Sequence, residues 1–291
     1  MKRIGFIGLG TMGKPMAKNL LKAGFEVDAF DVNPDPVNEL KAMGAGSPAS
    51  IREMMQNVEC VVTIVPADLQ VKEIYLGSDG ICANLQEGQI AIEMTTCHPN
   101  TVIALWEQFK EKQAHIVDAP VSGGKKGAEG GTLSIMVGCE DDVFSTVEPI
   151  LSVFGKKIFF AGALGAGKSI KLINQLLAST HMAVLSEGIQ LASKVGISPD
   201  VFYNVVKQSS GHSRMFDLKM DNFILPKDFA ASFKLSLMHK DLSLAFQLAK
   251  DNGMAPKVAE AALQMYQKGI ELGLGDDDMS ALVNVPPESI E

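Results

Sequence analysis

The sequence has no apolar run long enough to cross a membrane and no excess of basic residues. Its longest apolar stretches, such as residues 61–65, are strand-sized, well short of the roughly 18 residues of a membrane span. Lys and Arg number 26 against 34 Asp and Glu, a net charge of −8, so neither nucleic acid nor an anionic membrane is favoured as a partner. A strand pattern begins within three residues of Met1, so we expect no signal peptide.

Cysteine is also scarce. The four cysteines, Cys60, Cys82, Cys97 and Cys139, have neither CxxC spacing nor a histidine companion. This pattern indicates free thiols in a reducing compartment and argues against a structural metal. The sequence therefore predicts a metal-free cytoplasmic protein.

The composition is that of a folded protein with more than one core. Hydrophobic residues make up 46% and charged residues 21% of the chain, which argues against extensive disorder. A length of 291 residues is too great for one small core, so we expect two domains.

The first half alternates between strand and helix patterns. Short runs rich in Val, Ile and Phe are separated by stretches of helical periodicity, such as Met12–Ala23, Pro99–Gln113 and Asp141–Phe154. The predicted strands are residues 3–7, 26–30, 59–65, 89–94, 115–119, 132–137 and 157–160. This alternation predicts a doubly wound, mainly parallel α/β sheet of the Rossmann type with helices on both faces, over residues 1–163.

The pattern changes to all-helical in the second part, residues 164–291. Residues 168–195 carry apolar side chains on nearly every side with no breaker except Gly188, so we expect one long helix of roughly 40 Å, buried all round. Further helices are predicted at residues 199–208, 236–252 and 256–272. The second domain is therefore predicted to be an all-α domain built around the long helix.

A GxGxxG motif stands between the first strand and the first helix, and the predicted cofactor loop comprises Gly8, Leu9, Gly10, Thr11, Met12 and Gly13. In this setting the first glycine makes a tight turn, the second lets the backbone approach a pyrophosphate, and the third lets the helix pack on the strand. Asp31 ends the second strand 18 residues after Gly13. A carboxylate there accepts hydrogen bonds from a ribose diol and repels a 2′-phosphate, so the sequence favours NAD over NADP.

A second phosphate motif competes with the first. Residues 162–169 match GxxxxGK[ST], and the motif follows a strand and opens a helix. A P-loop requires a neighbouring parallel strand that supplies a magnesium-binding Asp. Only helical patterns follow here, which argues against nucleotide hydrolysis.

Polar residues interrupt three otherwise apolar segments. Asp118–Gly124 ends a strand in Ser122 followed by two glycines, and successive exposed amides of that kind form a nest for a carboxylate. Lys171, Asn174 and Gln175 interrupt the long helix, where residues three and four apart share a face. We expect Lys171 and Asn174 to face a cleft between the domains. Lys240 and Asp241 lie early in a later apolar helix.

These segments resemble the motifs of the β-hydroxyacid dehydrogenase family, whose fold is of the 6-phosphogluconate dehydrogenase type. The resemblance covers almost the whole chain. Four motifs occur in the family's order: residues 6–20 for the cofactor, 118–124 with 131–133 for the substrate, 167–175 for catalysis, and 240–242 for the cofactor again. The family uses the glycines before Lys171 as a helix start, which argues further against a P-loop.

The resemblance implies a role for each matched residue. Lys171 would be the catalytic acid and base, and Asn174 a substrate-orienting partner. Ser122, Gly123 and Gly124 would bind the substrate carboxylate, while Val65, Pro66, Thr96 and Lys240 would lie beside the cofactor. Glu93 departs from the family, which usually has Asp there, and Lys168 is the alternative to Lys171 as the catalytic amine.

The resulting hypothesis is an NAD-dependent enzyme that interconverts a 3-hydroxy acid and its 3-oxo acid. Hydroxyisobutyrate, glycerate and hydroxymethylglutarate remain open as substrates, and Arg214, in the variable segment that contains His212, could pair with a second carboxylate. A non-catalytic NAD-binding regulator of the same fold is the alternative from another class. We also expect a homo-oligomer, either a dimer or a tetramer.

Overall fold

The computed structural model describes residues 1–287 of the chain. It separates into two compact units, Met1–Lys171 and Leu172–Glu291. The predicted division between residues 163 and 164 falls shortly before the long helix, whose beginning belongs to the first unit.

The first unit contains an eight-stranded sheet. Its strands are β1 (Arg3–Ile7), β2 (Glu26–Phe30), β3 (Cys60–Thr63), β4 (Ile90–Glu93), β5 (His115–Asp118), β6 (Val121–Ser122), β7 (Leu133–Gly138) and β8 (Gly155–Gly162). Every residue of β3 and β4 is buried, as expected for central strands covered by helices on both faces. The two-residue strand β6 is too short to be visible as a sequence pattern.

The strand order is β2-β1-β3-β4-β5-β7-β6, with β8 paired to the other edge of β7. Strands β2, β1, β3, β4 and β5 are all parallel. Strand β7 runs antiparallel to β5 and β6 and parallel to β8. The predicted mainly parallel sheet is confirmed.

Helices cover both faces of this sheet. They are α1 (Gly13–Lys22), α2 (Pro34–Ala42), α3 (Ile51–Met55), α4 (Asp68–Leu76), α5 (Pro99–Ile103), α6 (Trp106–Glu111), α7 (Gly124–Gly130) and α8 (Asp141–Phe154), with a 3₁₀ turn at Cys82–Asn84. The single helix predicted over residues 99–113 is wrong. It breaks at Ala104 and Leu105, because the Leu105 amide donates to the Val102 carbonyl three residues back rather than four.

The second unit is helical, as predicted. The long helix α9 (Ala166–Lys194) leads into it, followed by α10 (Pro199–Val206), α11 (Arg214–Lys219), α12 (Leu235–Asp251) and α13 (Lys257–Glu271). A π-helical turn at Met220–Ile224 and a 3₁₀ turn at Met279–Asn284 complete it. Its core includes Met182, Phe216, Leu242, Tyr266 and Leu282. Within the described residues, no helix is long and apolar enough to cross a membrane.

Helix α9 is not buried on all sides in the single chain, so that expectation is wrong. Ile173, Leu177, Val184 and Leu191 are between 49% and 63% exposed. Their spacing of four and seven residues places them in one stripe along the helix. A second copy of the chain is one surface that could cover such a stripe, and the homo-oligomer stays a prediction.

A buried ion pair organises the second unit. The Asp278 carboxylate accepts hydrogen bonds from the Lys219 amine at 2.7 Å, from Ser232 and Phe233, and from the amide and hydroxyl of Ser280. Burial raises the pKa of Asp278, but Lys219 and Ser280 lower it more, so it lies below the ordinary 3.8. The carboxylate therefore stabilises the fold at neutral pH, and this contribution is lost as the pH falls below about 3.8.

We expect Asp278→Asn to lower the free energy of unfolding by about 3–5 kcal/mol, because it leaves the Lys219 cation buried and unpaired. Urea denaturation followed by circular dichroism at pH 7 measures the change. Asp276→Asn is the matched control, since Asp276 pairs with Lys234 on the surface at 2.7 Å and surface pairs contribute little. Equal losses in the two variants would contradict the prediction.

Candidate active site

The carboxyl ends of four strands lie in one row across the sheet. The register pairs Ile7 with Thr63, Thr63 with Glu93, and Glu93 with Asp118. The segments that follow β1, β3, β4 and β5 therefore leave the sheet at the same edge. Ligands of open α/β sheets bind outside this edge, and the predicted cofactor and carboxylate segments all begin there.

The glycine loop after β1 has the geometry that its sequence predicts. Gly8 has a φ of +92°, and a Cβ there would lie 2.2 Å from the Ile64 carbonyl oxygen. A Cβ on Gly13 would lie 1.8 Å from the Gly8 carbonyl oxygen, so α1 could not approach the loop with a larger residue. A Cβ on Gly10 would have no described atom within 4 Å apart from those of its chain neighbours. The loop therefore has the close packing and the open backbone that fit a dinucleotide pyrophosphate.

Asp31 lies directly beside this loop. Its carboxylate accepts hydrogen bonds from the Leu9 amide at 2.6 Å and from the Asn33 amide at 2.8 Å. Asp31 is partly exposed, so it stays accessible beside the loop. This placement fits an acid that binds a ribose diol.

The segments after β3 and β4 are joined by a hydrogen bond. The Thr95 hydroxyl accepts from the Val65 amide at 3.0 Å, and the Thr95 amide donates to Glu93 at 2.9 Å. Thr96 follows directly and is partly exposed, as is Val65, while Pro66 is exposed. The structure thus brings the predicted cofactor residues Val65, Pro66 and Thr96 to neighbouring strand ends.

The predicted carboxylate segment lies between β6 and α7. Ser122 pairs with Ser134 of β7, and Gly123 and Gly124 are exposed with φ values of +138° and +61°. These values belong to the left-handed region that favours glycine. Successive amides in such a conformation form an anion-binding concavity, which fits the predicted role.

Helix α9 begins against the ends of β4 and β5. Asp118 accepts the Gly165 amide at 2.7 Å and the Lys168 amide at 2.6 Å. Burial raises the pKa of Asp118 to about 6, although Lys168 and the two amides lower it. At neutral pH the carboxylate is therefore mostly ionised, and negative charge at a helix start is stabilising.

The two lysines at this helix start have different surroundings. The Lys168 side chain is 0% exposed, and its amine donates to the Glu93 carboxylate, to the Glu93 carbonyl at 2.9 Å and to the Thr95 carbonyl at 2.6 Å. Burial lowers the pKa of Lys168, but Cys97, Glu93 and Asp118 raise it more, so it lies above the ordinary 10.5. Lys171 lies one turn later and is 5% exposed.

This geometry excludes the P-loop alternative. A P-loop lysine must reach the nucleotide phosphates, whereas the Lys168 amine is hydrogen-bonded to buried protein acceptors. A Cβ on Gly167 would lie 2.3 Å from the Met136 carbonyl oxygen and 2.7 Å from Asp118. This glycine therefore permits close packing of the helix start.

The predicted residues of the second unit are joined by a chain of hydrogen bonds. The Asn174 amide donates to Gln175 at 3.1 Å, and the Gln175 amide donates to Asp241 at 2.7 Å. The Lys240 amine lies 3.1 Å from the other oxygen of Asp241. Gln175 and Asp241 are buried, so they hold Asn174 and Lys240 in a common arrangement.

Glu93, Gln175 and Asp241 are residues to which the sequence analysis gave no role in the site, and it named Lys168 only as the alternative catalytic amine. In the sequence, each of these residues is a polar residue at the end of an apolar strand or within an apolar helix. Such a position indicates that the side chain is buried with a polar partner, but it does not identify the partner.

The structure offers no metal centre among residues 1–287. No group of three or more His, Cys, Asp or Glu side chains in this range could hold a metal ion. His115 pairs with Glu140 at 3.1 Å and His212 with Asp217 at 2.8 Å, both near the surface.

Two family models together match nearly the whole chain. A model described as the NAD binding domain of 6-phosphogluconate dehydrogenase matches residues 3–162. A model described as NAD-binding of NADP-dependent 3-hydroxyisobutyrate dehydrogenase matches residues 165–286. The two models therefore divide the chain in the loop before α9.

Similar proteins bear dehydrogenase names. The chain is 39% identical over 283 residues to 2-(hydroxymethyl)glutarate dehydrogenase of Eubacterium barkeri, covering 97% of this chain and 94% of the relative. It is 33% identical to NAD-dependent L-serine dehydrogenase of Pseudomonas aeruginosa, covering 97% of each. A solved structure of Mycobacterium tuberculosis 3-hydroxyisobutyrate dehydrogenase with L-serine is 29% identical, with a TM-score of 0.91 and 98% of each chain covered.

The resemblance carried by the four motifs is thus confirmed on both halves of the chain. Full-length similarity to named dehydrogenases also argues against the non-catalytic regulator. The chain belongs to the β-hydroxyacid dehydrogenase family and is a hydroxyacid dehydrogenase that uses a nicotinamide cofactor.

Proposed function

We propose that this protein interconverts a 3-hydroxy acid and its 3-oxo acid with NAD, using Lys171 as general acid and base. The observation that carries the proposal is the environment of the other lysine at this helix start. The Lys168 amine is hydrogen-bonded to three acceptors in the core, so it is held as a cation and does not serve as a reversible acid and base. We therefore assign proton transfer to Lys171, one turn later on the same helix. Lys171 belongs to the unit that also contains the glycine loop and Ser122–Gly124.

The chain's own groups supply binding and proton transfer. The exposed amides of Gly123 and Gly124, with the Ser122 hydroxyl, bind the substrate carboxylate, and Asn174 orients the substrate. When bound, the nicotinamide supplies the hydride acceptor for oxidation and the hydride donor for reduction. The Lys171 amine accepts the hydroxyl proton during oxidation, and its ammonium donates a proton to the carbonyl oxygen during reduction.

The proposed preference for NAD rests on Asp31. Its carboxylate is partly exposed beside the cofactor loop and hydrogen-bonds to Leu9. A ribose diol can donate to it, whereas a 2′-phosphate would place like charges together. The serine dehydrogenase relative is itself named as NAD-dependent.

For the substrate we propose a 3-hydroxy acid with a second carboxylate, of the 2-(hydroxymethyl)glutarate kind. The relative of that name is 39% identical to this chain. Arg214 is exposed at the first position of α11, where Ser213 caps the helix by accepting the Phe216 amide at 3.1 Å. A guanidinium on a capped helix can bind a carboxylate through two hydrogen bonds.

We further propose a cytoplasmic location. Cys60, Cys82, Cys97 and Cys139 are all buried free thiols. Unpaired cysteines are typical of reducing compartments.

We expect Lys171→Ala to lower kcat by about 10²–10⁴-fold, the usual contribution of general acid–base catalysis, and to leave NADH affinity nearly unchanged. Initial rates with 3-hydroxy acids and NAD, together with NADH fluorescence titration, measure both. Lys194→Ala is the control, because Lys194 is exposed at the far end of the same helix. A Lys171→Ala enzyme that keeps over half of the wild-type kcat would overturn the assignment.

Asp31→Asn is expected to lower the ratio of kcat/KM for NAD to that for NADP by about tenfold or more. This factor corresponds to the free energy of one hydrogen bond to a charged group. The asparagine keeps an oxygen for the Leu9 amide but removes the charge that repels a 2′-phosphate. The ratio of kcat/KM for the two cofactors is the measurement, with Asp35→Asn, at an exposed position of α2, as control. An unchanged ratio would mean that Asp31 does not set cofactor choice.

Arg214→Ala should lower kcat/KM for 2-(hydroxymethyl)glutarate by about 10–100-fold, because it removes a bidentate charge-assisted pair. The value for 3-hydroxyisobutyrate, which has one carboxylate, should stay nearly constant. Lys207→Ala, which removes another exposed cation of the second unit, is the control. Equal losses with both substrates would argue against recognition of a second carboxylate by Arg214.

A further inference from the structure

Three charged groups are buried together where α9 begins. Glu93, Asp118 and Lys168 are each 0% exposed, and we call them the anchor cluster. They come from the end of β4, the end of β5 and the first turn of α9. A buried ion pair is rarely more stabilising than apolar side chains of the same volume, so stability alone does not account for a cluster of three.

The cluster holds the start of α9 from two directions. The Lys168 amine extends to β4, where it donates to the Glu93 carboxylate and carbonyl and to the Thr95 carbonyl. The Asp118 carboxylate extends from β5 and accepts the backbone amides of Gly165 and Lys168. The helix start is therefore fixed by its side chain to one strand and by its backbone to the next.

Each member of the cluster adjoins one segment of the predicted site. Glu93 accepts the amide of Thr95, which precedes Thr96 on the cofactor side. Asp118 lies four residues before Ser122. Lys168 lies three residues before Lys171, about one helical turn, or roughly 4.5 Å along the axis.

We propose that Glu93, Asp118 and Lys168 are positioning residues, which hold the start of α9 so that the Lys171 amine keeps a fixed place relative to Thr96 and to Ser122–Gly124. This inference rests on the proposed role of Lys171 in proton transfer. A displacement of about 1 Å at a reacting group can cost about a hundredfold in rate. A helix start held by five directional hydrogen bonds resists such a displacement better than apolar contacts do, because apolar contacts are non-directional.

Glu93 itself supports a positioning role. Its carboxylate accepts from the Thr95 amide with one oxygen, and from the Lys168 amine and the Cys97 thiol with the other. The carboxylate therefore links the end of β4, the Thr95 amide beside the predicted cofactor residue Thr96, and the start of α9.

The test compares a single variant with a double variant that removes one charge of each sign. Lys168→Met removes the amine and leaves Glu93 and Asp118 without a cation, so both Tm and kcat should fall. Glu93→Gln combined with Lys168→Met restores the net charge that the cluster has in wild type, so Tm should recover most of the loss. The double variant still lacks the hydrogen bonds to the Glu93 and Thr95 carbonyls, so kcat should stay at least tenfold below wild type while KM for the substrate and the Kd for NADH change little. A double variant with recovered Tm and kcat within twofold of wild type would overturn the proposal.

The second unit offers a matched control pair. Lys219 and Asp278 form a buried ion pair at 2.7 Å outside the proposed catalytic groups. Lys219→Met should lower Tm much as Lys168→Met does, and Asp278→Asn with Lys219→Met should recover Tm and kcat together. A persistent tenfold kcat loss in this double variant as well would mean that any buried pair has this effect, and the proposal would fail.

Glu93→Asp tests the positioning role if the Lys168 variants do not fold. It keeps every charge and shortens the carboxylate by one methylene, so the protein should fold. We expect kcat at least fivefold below wild type, and a smaller loss of Tm than in Lys168→Met, because both charges are kept. A kcat within twofold of wild type would count against the proposal.

Hydrogen exchange separates this inference from the proposed function. Amides of residues 165–171 should exchange at least tenfold faster in the Glu93→Gln, Lys168→Met variant, while those of α12 (Leu235–Asp251) should not change. If the wild type oxidised no 3-hydroxy acid, the proposed function would fail, and faster exchange would still show that the cluster holds the helix start. Unchanged exchange at residues 165–171 would overturn the anchoring itself.

Discussion

The parallel register of β1, β3, β4 and β5 is the constraint on which the predicted site depends. Because Ile7, Thr63, Glu93 and Asp118 lie in one row, the cofactor loop, the Thr95–Thr96 segment and the carboxylate segment leave the sheet at one edge. A shift of one residue in any strand would send its last side chain to the opposite face. The buried apolar residues of β3 and β4 fix the register of these strands, and thereby the face on which the side chains at the strand ends lie.

At this edge of the sheet the protein buries charged side chains, although apolar side chains of the same volume would stabilise the fold as well. Two opposing effects act on Asp118. Burial raises its pKa to about 6, whereas the two amides that donate to it favour the ionised form. Lys168 supplies the compensating positive charge. A carboxylate so arranged fixes direction as well as distance, because each of its hydrogen bonds weakens when the angle changes. The proposed proton transfer by Lys171, one turn later, requires such a fixed orientation of the helix start.

The fold could be predicted from the sequence where the pattern lies in neighbouring residues. The glycines of residues 8–13 and the acid at Asp31 belong to one strand–helix–strand unit, so their spacing along the chain predicts that Asp31 lies beside the glycine loop, as its hydrogen bond from the Leu9 amide shows. The pairing of Glu93 with Lys168 spans 75 residues, and no local pattern specifies it. The break at Ala104 and the exposed stripe of α9 were missed for a related reason. The break depends on the hydrogen bond from the Leu105 amide to the Val102 carbonyl, three residues back, in a segment with a regular helical pattern. The exposed stripe depends on which apolar side chains of α9 are covered by other parts of the same chain.

Lys168 and Lys171 are identical side chains in the first two turns of α9 to which we assign different roles. The sequence around Lys168 matches a phosphate-binding motif. The structure instead shows its amine held by a carboxylate and two carbonyls, and an amine held in this way stays charged and cannot take part in reversible proton transfer. The same reasoning separates Asp28 from Asp31. Arg3 pairs with Asp28 between β1 and β2 at 3.0 Å, whereas Asp31 lies just past the end of β2 and beside the cofactor loop, where it accepts the Leu9 amide. In both comparisons the surroundings of the side chain, rather than its residue type, determine which partners it binds.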